Sequence, residues 1–370
     1  MELRELSDAY LKAVNFQNPP WIPGKVAFLP ATWKTYGKEL EKIVLTYRKL
    51  FPEYQPGDYK RLAKPPHPRY MPGKFTDAWG CVWSNDYEGL AGVVTESPLK
   101  NWGKLEKFSP PDPEEMDDYG DPVDWEHRKR QVERIHELGG LAFGYFIHGF
   151  FFMRLFYLRG FEELMLDMAM GEEKVWTLIK MVREYNLKLA ELWLKTGIDV
   201  IWFGDDLGTQ ESLMISPKMF REYIKPFYKE IFGLFKDAGV YVYFHSDGRI
   251  VDILEDLIEC GASIVNPQIG PNTVEELERF KGRVCMDVDL DRQLFSTGTP
   301  DQIRKHIHTV IETLKQEEGG LMAYAECSPE VPLENIKAVC ATMAELCGPT
   351  AMKDFVQLQT SHISSKHGGD

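Results

Sequence analysis

His245, Ser246, Asp247 and Gly248 close an alternating apolar run, Val240 to Phe244. Its β-branched and aromatic residues favour a buried, pleated strand, and Asp247-Gly248 is a turn signal. A histidine and a carboxylate two residues apart thus stand at the carboxyl end of a strand, where α/β proteins bind their ligands. Histidine at such a place serves as an acid–base group or a metal ligand. The plainer alternative is that Asp247 caps the helix beginning near Ile250 and His245 is a satisfied strand-end polar group.

The same ending recurs along the chain. Trp202-Phe-Gly leads to Asp205-Asp206, Val265 to Asn266 and Gln268, Met286 to Asp287 and Asp289, and Ala325 to Glu326 and Cys327. A single Asp after a strand is ordinarily a cap or turn former. Five strands in a row ending this way concentrate carboxylates that repel one another unless a cation or a substrate compensates. His245, Asp247, Glu326 and Cys327 offer nitrogen, oxygen and sulfur donors. Zinc accepts that mixture, and three protein ligands with an open position mark a catalytic site. For Cys327 the alternative is a small buried hydrophobe. The belt from Phe143 to Arg154 is broken by His148-Gly149, another strand end. Most of its rings read as core. Phe150 and Phe151, with His148 and with Trp79 from an earlier segment, are the candidates to wall a pocket for a flat apolar ligand.

The elements that must position these groups follow a strand–helix rhythm. Strands are expected at 141–147, 199–204, 240–244, 263–266, 284–288 and 321–327, with helices between them and a last helix at 333–347. Short connections between such units imply a parallel sheet, and their number favours a closed (β/α)8 barrel. A first strand is expected at 25–30. The stretch 1–75 reads as an N-terminal capping and loop segment, 76–350 as the barrel, and 351–370 as a polar tail. The chain has 370 residues, 44% of them hydrophobic and 27% charged, which are ordinary globular values. A net charge of −14 without a Lys/Arg block argues against nucleic acid and anionic membranes as partners. Six cysteines without a CxxC pair suit free thiols in a reducing cytosol, so a cytoplasmic location is expected. Met1 to Ala13 is charged and amphipathic, unlike a signal peptide. The apolar stretch Leu141–Leu158 is too interrupted to span a bilayer.

Leu158-Arg-Gly-Phe-Glu-Glu-Leu164, Phe203-Gly-Asp-Asp-Leu-Gly-Thr-Gln210, Leu213-Met-Ile-Ser-Pro217, His245-Ser-Asp-Gly248 and Pro332-Leu-Glu-Asn335 together resemble the uroporphyrinogen decarboxylase superfamily over roughly residues 75–348. The resemblance implies a distorted (β/α)8 barrel and one of two activities, porphyrinogen decarboxylation or corrinoid-linked methyl transfer. The decarboxylases carry an N-terminal Arg-Gln-Ala-Gly-Arg motif; here Arg4 is the only arginine before Arg48, and the motif is missing. The methyltransferases carry zinc on His-x-Cys and a later Cys, where this chain has His245-x-Asp247 and Cys327. The Asp-Asp-x-Gly-Thr-Gln pattern is similar to the first methyltransferases of anaerobic methyl-donor pathways, aryl methyl ether demethylation among them. The implied reaction moves a methyl group from a small methylated donor, such as a methoxylated aromatic, to the corrinoid of a partner protein. Zinc on His245, Asp247, Cys327 and Glu326 would polarise the ether oxygen; without a metal, His245 or Asp206 would be the proton donor. Asp205 and Gln210 would orient the substrate, with Asn266, His148 and the Phe150/Phe151/Trp79 group around it. A homodimer is expected by analogy with the superfamily. The competing expectation is a decarboxylase of an aromatic or tetrapyrrole acid in which Asp205 or Asp206 stabilises a protonated ring. The Asp-x-His-x-x-Gly motif of corrinoid carriers does not occur.

Overall fold

The structure is a computed structural model that describes residues 2–65 and 67–351, so the expected polar tail lies outside the described residues except for Ala351. Eight strands carry the architecture: β1 (Pro23–Phe28), β2 (Phe143–Tyr145), β3 (Val200–Gly204), β4 (Tyr241–Ser246), β5 (Ile264–Pro267), β6 (Cys285–Asp289), β7 (Leu321–Cys327) and β8 (Gly348–Pro349). Helices fill the intervals, and the α/β class is that of a distorted (β/α)8 barrel, as the alternation predicts. The chain divides into two compact units, one of residues 1–73, 85–92 and 268–370, the other of residues 74–84 and 93–267.

The second unit holds β2 to β5, paired in parallel in chain order. The register sets Tyr145 beside Trp202 and Trp202 beside Tyr243, then Gly204 beside His245 and His245 beside Asn266. Every residue of β3 is buried, as a strand covered on both faces requires. One side packs Phe146, Phe203 and Phe244 against Phe232 and Phe235 of helix Lys225–Asp237, with ring centroids 4.6–6.3 Å apart. Each such ring contributes roughly 2–3 kcal/mol by burial. Pro226 sits in the first turn of that helix, where its missing N–H is tolerated. The segment just before it, Phe220–Ile224, relaxes into a π-turn. The stretch 152–170 holds two helices, Phe152–Arg159 and Phe161–Met170. They part at Gly160, whose φ of +97° a side chain would disfavour.

The first unit pairs β8, β1, β7 and β6 in that order, all parallel. β1, the first strand expected at 25–30, lies between β7 and β8 with Phe28 beside Cys327. The last strand, β8, follows the final helix and spans two residues, too few for any periodicity to announce. Gly348 N–H donates to the Ile22 carbonyl at 3.0 Å, and Trp21 Nε1–H donates to the Pro349 carbonyl at 3.0 Å. In the stretch from Asp77 a strand begins only at Val82. Asp77 Oδ1 instead accepts the Trp79 and Cys81 N–H groups and folds that stretch into a turn. Among the described residues, no helix is long and apolar enough to cross a membrane.

Candidate active site

The polar strand ends of the second unit meet around His148. Beyond β2 the chain keeps alongside β3, since Phe146 N–H donates to the Trp202 carbonyl and Gly149 N–H to the Gly204 carbonyl. Gly149, at φ +82°, then turns it into helix Phe152–Arg159. His148 comes to lie over Gly204, where an added Cβ would stand 2.5 Å from its ring and 2.2 Å from Trp202. Gly204 therefore makes the space that the imidazole fills.

His148 Nε2 lies 3.1 Å from Asp206 Oδ1, and the same oxygen accepts the Asp247 N–H at 2.9 Å. His245, at the end of β4, packs its ring nearly parallel to Trp202, with 5.6 Å between its centroid and that of His148. His245 Nδ1 meets Asn266 Oδ1 at 2.5 Å. Because an amide oxygen only accepts, Nδ1 is the nitrogen that donates here, and Nε2 is the one left facing Asp247. Asp247 Oδ1 stands 3.5 Å from that Nε2. The ligand-capable atoms of His148, Asp206 and His245 all fall within 4.8 Å of one another.

The electrostatics of the pair oppose two effects. Burial raises the Asp206 pKa, but the charge and hydrogen bond of His148 and the charge of His245 outweigh it and hold the carboxyl well below its usual range. Burial likewise lowers His148, and the charge and hydrogen bond of Asp206, with Asp247 and Asp205 behind it, bring it above its ordinary value. Each group of the pair thus favours the charged form of the other.

Asp205 plays another part. It is fully buried, and it accepts the N–H of Phe152 at 2.6 Å, the N–H of Met153 at 2.8 Å and the Tyr228 hydroxyl at 2.7 Å. It caps the helix beginning at Phe152, which has no cap of its own. Neighbouring residues at the end of β3 therefore separate, Asp205 to the helix layer and Asp206 to the histidines. The backbones of the two following loops cross at Gly208 and Gly248, where an added Cβ at either would come within 2.4 Å of the other strand of chain.

Three expected pocket residues are core instead. Phe150 is 4% exposed and stacks on Tyr228, and Phe151 is fully buried against Phe227 at 4.0 Å. Trp79 donates its Nε1–H to Asp118 at 2.7 Å and lies under the Arg154 guanidinium, itself paired with Asp77 and Asp118. Alternating apolar pattern cannot distinguish a pocket wall from a helix-facing ring, and the turn at Gly149 sends these rings outward. Gln210 lies exposed in the turn at 209–212.

The first unit carries the other expected donors. Residues on β7 alternate faces: Glu326 accepts the Tyr324 hydroxyl at 2.9 Å, two positions away on its own side. Cys327 takes the opposite side and is fully buried, close enough to Cys340 of helix Leu333–Leu346 for their charges to interact. Burial pushes its thiol well above the ordinary range, which disfavours the thiolate a metal needs. Adjacent positions thus do not serve one ion together. Arg292, which no sequence motif singles out, pairs with Asp289 and reaches Glu326 at 3.2 Å. Asp289 and Glu326 thus already have a cation.

His148, Asp206 and His245 fit zinc: two imidazoles and a carboxylate are accepted donors, and three protein ligands leave one position open. Asn266 on the far nitrogen of His245 is the outer partner that such a ligand ordinarily has. A groove of about 650 Å³ lined by Val82, Glu96, Pro98, Lys104, Lys107 and Phe108 among others shares no residue with the cluster.

Comparison with known proteins agrees with this architecture. A methyltransferase from Methanosarcina mazei is similar in structure, with a TM-score of 0.58 at 17% identity, over 92% of this chain and 99% of that one. A sugar phosphate isomerase/epimerase from Parabacteroides distasonis (TM-score 0.32, 14% identity, 62% of this chain and 82% of that one) and an L-ribulose 3-epimerase (0.35, 12%, 67% and 86%) are too distant to carry an argument. No curated protein sequence matches the chain. The model of the uroporphyrinogen decarboxylase (URO-D) family matches residues 86–346, and the chain belongs to that family.

Proposed function

We propose that the protein is a methyltransferase that moves a methyl group from a small methoxylated aromatic donor to the corrinoid of a partner protein. The observation that carries this reading is the convergence of His148, Asp206 and His245, with the His245 Nε2 lone pair turned to the other two by Asn266. An aryl ether does not release methyl unaided, since its leaving group is a phenolate whose conjugate acid has a pKa near ~10. Zinc on His148, Asp206 and His245 would supply a Lewis acid for the ether oxygen. The methyl carbon passes to the reduced corrinoid of the partner, a nucleophile, as the carbon–oxygen bond breaks and both of its electrons stay on oxygen.

The protein's own residues do the rest. Asn266 holds the His245 ring in one tautomer, and the Asp247 N–H fixes the Asp206 oxygen. Gly204 leaves room for His148. Without a metal, the His148 ring, paired with Asp206, would instead be the proton source for the departing phenolate. Donors made only of nitrogen and oxygen are harder than thiolates and suit an ether oxygen better than a thiol sulfur.

The 3.1 Å His148–Asp206 bond also favours a second reading, decarboxylation of an aromatic acid, because that pair is a complete acid without a metal. The two separate in one assay under anaerobic conditions, with methoxylated aromatics and a reduced corrinoid protein. Methyl transfer that falls by about 10²–10⁴-fold in His148→Gln supports the proposal. Release of carbon dioxide from an aromatic acid without any corrinoid protein would replace it with the decarboxylase.

A further inference from the structure

Helix Trp125–Glu137 carries a buried charge that methyl transfer does not use and whose role is independent of that reading. Arg128 is 7% exposed, and its Nε–H has no hydrogen-bond partner. Among the described residues no carboxylate is in ion-pair contact with it. Aromatic rings cover it instead: its guanidinium carbon lies 4.5 Å from the centre of Trp125, 4.8 Å from Trp193 and 6.0 Å from Tyr145. Rings stabilise the faces of a guanidinium but leave its in-plane N–H groups unanswered. A buried charge left so is costly. The other buried arginines of this unit do have partners, Arg154 on Asp77 and Asp118, and Arg159 on Asp167.

Arg128 and Trp193 line a narrow cavity of about 20 Å³ together with Asp117, Asp118, Tyr145, Ile147 and Tyr185, and Asp118 is already engaged by Arg154 and by the Trp79 indole N–H. That is room for one small occupant. Trp193 Nε1–H is a second buried donor with no partner. Guanidinium and indole N–H groups can only donate, so the occupant must accept from several directions. A water offers two lone pairs and then needs acceptors for its own hydrogens, whereas an anion accepts throughout and cancels the charge. Asp117 is the carboxylate whose charge acts on Arg128. One of its oxygens already accepts the N–H groups of Tyr119 and Asp121, and burial pushes its pKa up to about 7, so it is an incomplete counter-charge at neutral pH.

We propose that this cavity binds one small monovalent anion, a halide or the carboxylate head of a short organic acid, on Arg128 and Trp193. The test uses the whole protein in a gluconate buffer at constant ionic strength, titrated with chloride or with formate while its melting temperature is followed. A saturable rise of roughly 2–4 °C is expected with the favoured anion. Preference for chloride would identify a halide site and preference for formate a carboxylate site. In Arg128→Gln the rise should vanish, and in Trp193→Phe its midpoint should move about tenfold to higher concentration through loss of one charge-assisted hydrogen bond. No saturable rise in the wild-type protein, or an equal rise in Arg128→Gln, overturns the proposal. Should Arg128→Gln not fold, crystals soaked in the favoured anion, bromide standing in for chloride, decide: density for it between Trp125 and Trp193 supports the site, and its absence overturns it.

Discussion

Asn266 settles which nitrogen of His245 is available, and that one hydrogen bond decides whether the ring can serve as donor to a metal or as base to a substrate. Replacing it by leucine frees the ring to rotate and removes the acceptor for Nδ1–H. Turnover should then fall by roughly 10–100-fold while stability drops by only about 1 kcal/mol. Steady-state assays beside denaturant melts check the split, and an equal loss in both would make Asn266 merely structural. Asp117 illustrates the opposite use of a buried acid. Burial raises its folded pKa from 3.8 to about 7, so the native state holds a proton that the unfolded chain has released. Its stabilisation is complete below the unfolded value and is lost as pH rises through the folded one. Asp117→Asn keeps an acceptor for the Tyr119 and Asp121 N–H groups and removes the titration. The variant should gain on the order of 4 kcal/mol relative to wild type between pH 4 and pH 8. Urea melts at both values measure this, and parallel pH curves would contradict it.

Individual elements explain why two adjacent aspartates have different fates. At the end of β3 the side chains alternate, and the helix that starts at Phe152 brings unsatisfied N–H groups to the outward one. Asp205 is therefore a cap delivered from another element, and its loss should be felt as instability. Asp205→Ala leaves two buried N–H groups and the Tyr228 hydroxyl without an acceptor, a cost of about 3 kcal/mol or more. Asp206→Asn, by contrast, should keep the fold and lose turnover. Chemical denaturation distinguishes them, and equal melting of the two variants would refute the division. The Asp-Asp pair is visible in the sequence, but its division of labour is not, because it depends on what packs against each face. The same holds for β7, where Glu326 and Cys327 read as neighbouring donors and the pleat sends them apart. His148 reads as a pocket residue from the break in an aromatic run; its bond to Asp206 joins positions 58 apart that no local pattern links.

For the molecule as a whole, the strand–helix alternation makes the (β/α)8 class legible, since all six strands expected between 141 and 327 are present. The features that stay hidden in the sequence are set by non-local contacts. β8 is a strand only because Ile22 and Trp21 bind Gly348 and Pro349 across more than three hundred residues. The turn at 77–81 is made by one carboxylate rather than by a periodic pattern. Arg292 supplies the cation that the carboxylate-rich ends of β6 and β7 require, a role invisible without knowing that the two strands are adjacent. The net charge of −14 remains an argument against nucleic acid as partner, and it sits well with a neutral or small donor.

The most direct measurement is elemental analysis of protein purified without added metal, made in parallel on wild type, His148→Ala, His245→Ala and Cys327→Ser. About one zinc per chain is expected in wild type and in Cys327→Ser, and none in either histidine variant. Zinc lost from Cys327→Ser but kept by His148→Ala would contradict the assignment, as would metal-free wild-type protein that still turns over.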